Sequence, residues 1–289
     1  MRPHVRVSSV SDNILSPQAL PFLRHIERCN QARLPGERTP LFYQGRQIGW
    51  IAPEIAPALT LKGLRTGTSF ILQDASILES LGHELALSGL YTSHNELFDV
   101  RDDEDNVIGQ IDRGAIPLFG LPAEGIHLNG LVNTPDGLKI WIARRSASKR
   151  LDPCKLDHIV AGGMSAGLTA TETLIKEAHE EAGIPEAIAQ KAVPVARIQY
   201  ALERAEGLRR DILHCFDLYL PNNFVPVAED GEVESFHLES LSDIFCRVRD
   251  TNDFKFNVNL VLIDLFIRQN FFSVTDSIIL AKALRGHRS

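Results

Sequence analysis

Cysteine is scarce: the 289 residues contain four, Cys29, Cys154, Cys215 and Cys246, and none stands at metal-knuckle or redox-pair spacing from another. That scatter excludes a cysteine-held metal site and fits a reduced compartment. No run of about 18 apolar residues occurs, so no membrane span is expected. The opening stretch MRPHVRVSSVSDN has basic residues but lacks the apolar core and cleavage signature of a leader, and the expectation is a cytoplasmic protein. Repeats and low-complexity tracts are missing too. Cationic charge is in deficit, with 30 Lys and Arg against 37 Asp and Glu and a net charge of −7. That balance argues against a nucleic-acid partner, although it leaves room for a local anion pocket. What remains is ordinary globular composition, 44% hydrophobic and 23% charged, in a chain longer than one average domain.

The first part of the chain reads as α+β. Residues 15–30 have amphipathic helical spacing, PLFYQGRQIGWIAP reads as a hairpin turning at Gln44-Gly45, and helical pattern returns over Ala75 to Leu90. A second hairpin is expected from Glu96 to Ile111 across the acidic turn Asp102 to Asn106. A new unit is expected near Gly120 to Gly125. Within it, Thr134-Pro-Asp-Gly137 is a turn between two strands, and residues 195–202 and 209–221 are further strands. Residues 232–245 read as a strand followed by a short helix, and Asn257 to Arg268 as a packed helix.

Residues 162–184, GGMSAGLTATETLIKEAHEEAGI, carry the strongest chemical signal. Thr169 and Glu172 form a T-x-x-E capping box, and Gly183 suits the left-handed residue that ends a helix. At about 100° per residue, Ala170, Leu174, Ile175, Ala178 and Ala182 share an apolar arc, with Glu181 inside its edge and Glu177 beside it. A solvated acidic face would lie opposite. Glu177 and Glu181 at i,i+4 repel each other by a few tenths of a kcal/mol, a cost that a cation would reverse. Oxygen donors point to Mg²⁺ or Mn²⁺.

This segment resembles the Nudix box: glycine, five residues, glutamate, seven residues, Arg-Glu, an apolar residue, any residue, Glu-Glu, any residue, glycine and an apolar residue. Gly162, Glu177, Glu180, Glu181 and Gly183 match in register. Lys176 replaces the box arginine, and Leu168 stands where the first glutamate belongs. The resemblance implies a Nudix α/β/α sandwich with a mixed sheet over residues 123–289, preceded by an α+β domain over 1–122. It also implies that Glu177, Glu180 and Glu181 hold the metal. PLFYQGRQIGWIAPEIAPAL further resembles the domain that precedes the Nudix domain in the thiamin pyrophosphokinase-related group. The implied reaction is hydrolysis of a small-molecule diphosphate, with thiamin diphosphate or its oxidised forms favoured and ADP-ribose or other nucleoside diphosphate derivatives as the alternative. A non-catalytic diphosphate-binding module is the other class, motivated by Leu168. A homodimer is the assembly to test.

Arg144, Arg145, Lys149, Arg150 and Lys155 crowd into twelve residues just before the box, in an otherwise acidic chain. Arg145 and Lys149, with Arg144, are the expected phosphate ligands, since a guanidinium fork grips two oxygens and an ammonium acts as a point charge. Gly162 and Gly163 are expected to let the loop turn tightly. Glu181, Glu180 and Glu232 are the catalytic candidates, with Glu181 or Glu232 as the acceptor of the water proton.

Overall fold

The computed structural model describes residues 15–228 and 231–285; the opening stretch read for a leader lies outside them, apart from its sequence. The chain begins with α1 (Leu20–Cys29) and the hairpin β1 (Thr39–Tyr43) and β2 (Arg46–Ile51). Gln44 and Gly45 both take positive φ at its turn, +48° and +79°, the geometry that matches the twist of paired strands. Then follow α2 (Ala56–Leu61), β3 (Arg65–Thr66), β4 (Ser69–Leu72), α3 (Leu78–Leu87), the hairpin β5 (Leu97–Arg101) and β6 (Val107–Asp112), and α4 (Ile116–Phe119). The first four strands form one sheet, ordered β2-β1-β4-β3, and β5-β6 stands as a separate ribbon. Leu41, Ile51, Phe70, Leu78, Ile111 and Phe119 belong to one apolar core that joins them.

The second sheet starts at Pro122, where the junction of the two units was expected. Its strands are β7 (Pro122–Thr134), β8 (Gly137–Arg145), β9 (Leu156–His158), β10 (Val160–Gly163), β11 (Val193–Arg204), β12 (Gly207–Tyr219) and β13 (Val233–Ser240). The main order is β11-β12-β7-β8-β13, with β10 on β7 and β9 on β8. β12 runs parallel to β7 while β7 and β8 are antiparallel, so the sheet is mixed as expected. Alternation sorts its residues. Ile126, Leu128, Trp141 and Phe216 face α5 (Ala170–Ala182) and α6 (Glu186–Ala189). Leu131, Ile142, Leu213 and Cys215 face α7 (Leu241–Asp250), α8 (Val258–Arg268) and α9 (Val274–Leu284).

α1 precedes the junction in sequence, yet it packs into this second core. Phe22 lies 4.7 Å from Phe245 and 6.0 Å from Phe266 between ring centroids, and Phe22, Ile26 and Cys29 are buried there. β9 and β10 lie where the sequence suggested a basic loop running into glycines. At three and four residues they are too short for alternation to reveal them. Among the described residues no helix is long and apolar enough to cross a membrane.

Candidate active site

The helix that carries the glutamates forms as its sequence requires. Thr169 Oγ1 accepts from Glu172 N–H at 3.2 Å, Glu172 Oε2 accepts from Thr169 N–H at 2.9 Å, and Gly183 ends the helix at φ 61°. Glu181 is buried, 6% exposed, and Ala161 N–H of β10 donates to its Oε2 at 2.9 Å. Burial, reinforced by the like charges of Glu177 and Asp157, pushes this carboxyl up to about 8. Glu177 lies along β10, so close that a Cβ on Gly162 would meet its carboxyl carbon at 2.7 Å. Glu180 stands on the rim. Lys176 Nζ donates to Glu177 at 2.9 Å and to Glu180 at 2.8 Å, and this favourable bridging holds the lysine well above its usual range.

A narrow cleft opens at Glu181, and Arg145, Lys149, Asp157, His158 and Glu232 are among its walls. Lys149 forms an ion pair with Glu232 across it. The fold thus brings together four residues singled out from sequence, Glu181, Glu232, Lys149 and Arg145, which come from three separate segments of the chain. Arg145 has a different duty from the one expected. Its Nη1 donates to Asp157 at 2.8 Å, Nε to Asp152 O at 3.0 Å and Nη2 to Leu151 O at 2.7 Å, so its fork braces the loop and shapes the cleft wall. Arg144, the preceding residue of β8, alternates to the other face, where it donates to Cys154 O at 3.1 Å, and it does not line the cleft.

Beneath the cleft lies a cluster that the sequence did not announce. His127, Asp157 and His158 are all buried, and their potential ligand atoms lie within 4.8 Å of one another. His127 Nδ1 and His158 Nδ1 are 2.9 Å apart, sharing one proton as donor and acceptor. Burial disfavours the charged form of both rings, bringing His158 down to about 4 and His127 well below its usual range. This cluster suits a metal poorly. Its single carboxylate already faces Arg145 at 2.8 Å and the buried Lys255 at 3.5 Å, and a dication would be set against both. The glutamates of α5 offer a hard cation an all-oxygen donor set that includes the buried Glu181, although as the side chains stand the three do not gather their oxygens within 4.8 Å of one another.

The glycines also differ from expectation. Gly162 and Gly163 lie in extended β10 and are small for want of room. A Cβ on Gly163 would meet Phe98 of β5 at 2.5 Å. Gly167 is the one that needs glycine's backbone freedom, at φ +82° with open space around it. A second cleft lies between this loop and β5, with Asp99, Arg101, Glu124, Ser165 and Leu168 in its walls.

Comparison with known proteins identifies the family. A family model described as the NUDIX domain matches residues 129–258, which include the whole glutamate helix. Nudix hydrolase 20 of Arabidopsis thaliana, chloroplastic, is 39% identical over 198 residues, covering 68% of this chain and 52% of the relative. Nudix hydrolase 24, chloroplastic, of the same plant is 34% identical over 267 residues, covering 86% of this chain and 72% of the relative. The chain belongs to the Nudix hydrolase family. It spans about half the length of the first relative and 72% of the second. A crystal structure from Deinococcus radiodurans aligns with 58% of this chain and 97% of its own, at TM-score 0.46 and 21% identity. Both plant relatives are named chloroplastic, and this overturns the cytoplasmic expectation drawn from the opening stretch.

Proposed function

We propose that the chain hydrolyses a diphosphate linkage attached to an organic group, with Mg²⁺ or Mn²⁺ held by Glu177, Glu180 and Glu181. The observation that carries this reading is Glu181, a carboxyl buried without enough positive charge in a cleft that also holds Lys149 and Glu232. When bound, the cation supplies charge neutralisation at the phosphoryl oxygens and acidifies water. Lys149 anchors the distal phosphate, Arg145 keeps the loop that carries Lys149 in place, and Glu181 or Glu232 accepts the water proton. Glu180, on the rim, joins the metal set by exchanging its Lys176 contact for the cation.

Thiamin diphosphate or an oxidised form of it, cleaved to the monophosphate and phosphate, is the favoured substrate, supported by the resemblance of residues 40–59 to the thiamin-related group. ADP-ribose and nucleoside diphosphate sugars are the alternative within the same chemistry. Leu168, apolar at a box position that calls for glutamate, favours a second reading, a module that binds a diphosphate without cleaving it. A panel of thiamin diphosphate, its oxidised forms, ADP-ribose and nucleotides, assayed with and without Mg²⁺, separates these. Metal-dependent release of phosphate from the thiamin compounds is expected. Saturable binding with no product from any compound would replace the enzyme with the binding module.

A further inference from the structure

The first unit reaches the loop Met164–Leu168, which leads from β10 into the cap of the glutamate helix, through β5 and Glu96 just before it. Ala166 N–H donates to Leu97 O at 2.7 Å, Ser165 Oγ donates to Glu96 Oε1 at 2.8 Å, and Gly167 N–H donates to Asp99 Oδ2 at 3.0 Å. Phe98, 3% exposed and part of the first unit's core, sits against Gly163 where no Cβ would fit. Asp99 is itself held from two sides: Gln110 Nε2 of β6 donates to Oδ1 at 3.1 Å and Arg101 Nη2 to Oδ2 at 3.2 Å. Its carboxylate therefore points at Gly167 because the hairpin fixes it there. Gly167 is the left-handed residue of the loop, two positions before the cap Thr169. Residue 168 is apolar, so a carboxylate reaches this loop from the hairpin and not from the loop itself.

We propose that Asp99 is a positioning residue for hydrolysis: anchored by Gln110 and Arg101, it holds Gly167 and so registers the glutamate helix against the first unit. The proposal rests on the reading of Glu177, Glu180 and Glu181 as the metal-holding set. It gives the α+β unit a defined task at the active site. Displacing a catalytic group by about 1 Å costs up to about a hundredfold in rate while substrate contacts made elsewhere persist. The first unit then acts on turnover through the position of α5.

The test uses the full chain with Asp99→Ala, Asp99→Asn, Ser165→Ala and, in parallel, Glu181→Gln. In metal-free protein, amide exchange over residues 164–168 is expected to quicken by about tenfold in Asp99→Ala and to return near the parent in Asp99→Asn, whose amide oxygen can still accept from Gly167 while Gln110 turns its own amide to match. With Mg²⁺ and thiamin diphosphate or ADP-ribose, whichever the parent cleaves faster, kcat should fall about tenfold to a hundredfold in Asp99→Ala with KM within about threefold, and recover in Asp99→Asn. Ser165→Ala carries the same pattern at smaller size and decides the matter should Asp99→Ala fail to fold. Unchanged exchange over 164–168, or unchanged kcat alongside an inactive Glu181→Gln, overturns the proposal. An active Glu181→Gln sinks the metal-helix reading instead, and the exchange measurement still decides whether Asp99 holds the loop.

Discussion

Two buried carboxyls, Asp112 in the first unit and Glu181 in the second, show what separates scaffold from site. Asp112 is 7% exposed and Glu181 6%, so burial alone does not distinguish them. Burial pushes both upward. Around Asp112, however, the Ser93 hydroxyl and the N–H groups of His94, Asn95 and Gly114 outweigh it and hold the carboxyl below its usual range. Around Glu181, the Ala161 N–H does not, and the group rises to about 8. Over residues 39–121, Asp112 is the one buried polar or charged side chain among the described residues, whereas the second unit buries His127, Arg145, Asp157 and His158 close to Glu181. The contrast marks Glu181, and not Asp112, as the carboxyl to test for a ligand.

The largest effect expected follows from that shortage. Glu181→Gln should lower turnover by about a thousandfold or more while the metal-free protein keeps its stability, because the charge it removes is needed at the metal and is a burden without it. Stopped assays beside thermal melts in chelator check both halves. A turnover within about threefold of the parent would end the assignment of Glu181.

Acid and base should then pull the two carboxyls apart. Glu181 has a folded pKa raised above its unfolded value, so its contribution is complete below about pH 4.5 and is lost as pH rises toward 8 in metal-free protein. Asp112 is depressed, so its contribution is present above its unfolded pKa and is lost as pH falls through the folded one. Melts in chelator from pH 5 to 9 should decline toward alkaline pH by a few kcal/mol, and Glu181→Gln should flatten the slope. Binding of Mn²⁺ at pH 7 should also release close to one proton, read by calorimetry in buffers of different ionisation heat. Absence of proton release would place the cation away from Glu181. Asp112→Ala, by contrast, should cost about 3 kcal/mol of stability by stranding several donors, with no change in metal affinity.

Lys149 tests the cleft from the substrate side. Lys149→Ala should weaken diphosphate substrates by about 1.5 to 3 kcal/mol, roughly tenfold to 150-fold, through loss of a charge-assisted contact. Its effect on melting should be small, since a partly exposed ion pair such as that with Glu232 adds little stability. Kinetic constants equal to the parent's would move the phosphate contact elsewhere.

Much of the site was legible because its signals are local. The capping box at Thr169 and Glu172, the end at Gly183 and the place of Glu181 inside the apolar arc all follow from spacing along one helix, and the structure agrees with each. The hairpins at Gln44-Gly45 and at Asp102 to Asn106 were readable from turn chemistry. What stayed hidden is non-local. His127 and His158 meet because β7 and β9 both lie beside other strands of one sheet, and nothing in a single strand marks a histidine for a partner 31 residues away. Arg145 looked like a free cation because sequence shows charge density but not which carbonyls a guanidinium will brace. Gly163 looked like a turn residue, and its real constraint, the ring of Phe98, comes from the other unit.

The smallest effect expected is at Leu168. If hydrolysis proceeds with Glu177, Glu180 and Glu181, the set is complete without a carboxylate at 168, and Leu168→Glu should change kcat and metal affinity by no more than about threefold. The structure gives a reason for tolerance. Leu168 is half-buried in the wall of the second cleft beside Asp99 and Glu124, where Arg101 also stands. A glutamate there would add a third acid to a place whose cations are already engaged, Arg101 with Asp99 at 3.2 Å and with Glu124 at 4.0 Å. Repulsion in that partly open cleft is worth tenths of a kcal/mol, too little to displace the loop that Asp99 holds. A silent parent that Leu168→Glu switches on would reverse the conclusion: the chain would then be a binding module that had lost one carboxylate, and the uncompensated Glu181 would mark a site for a ligand that is held and not cleaved.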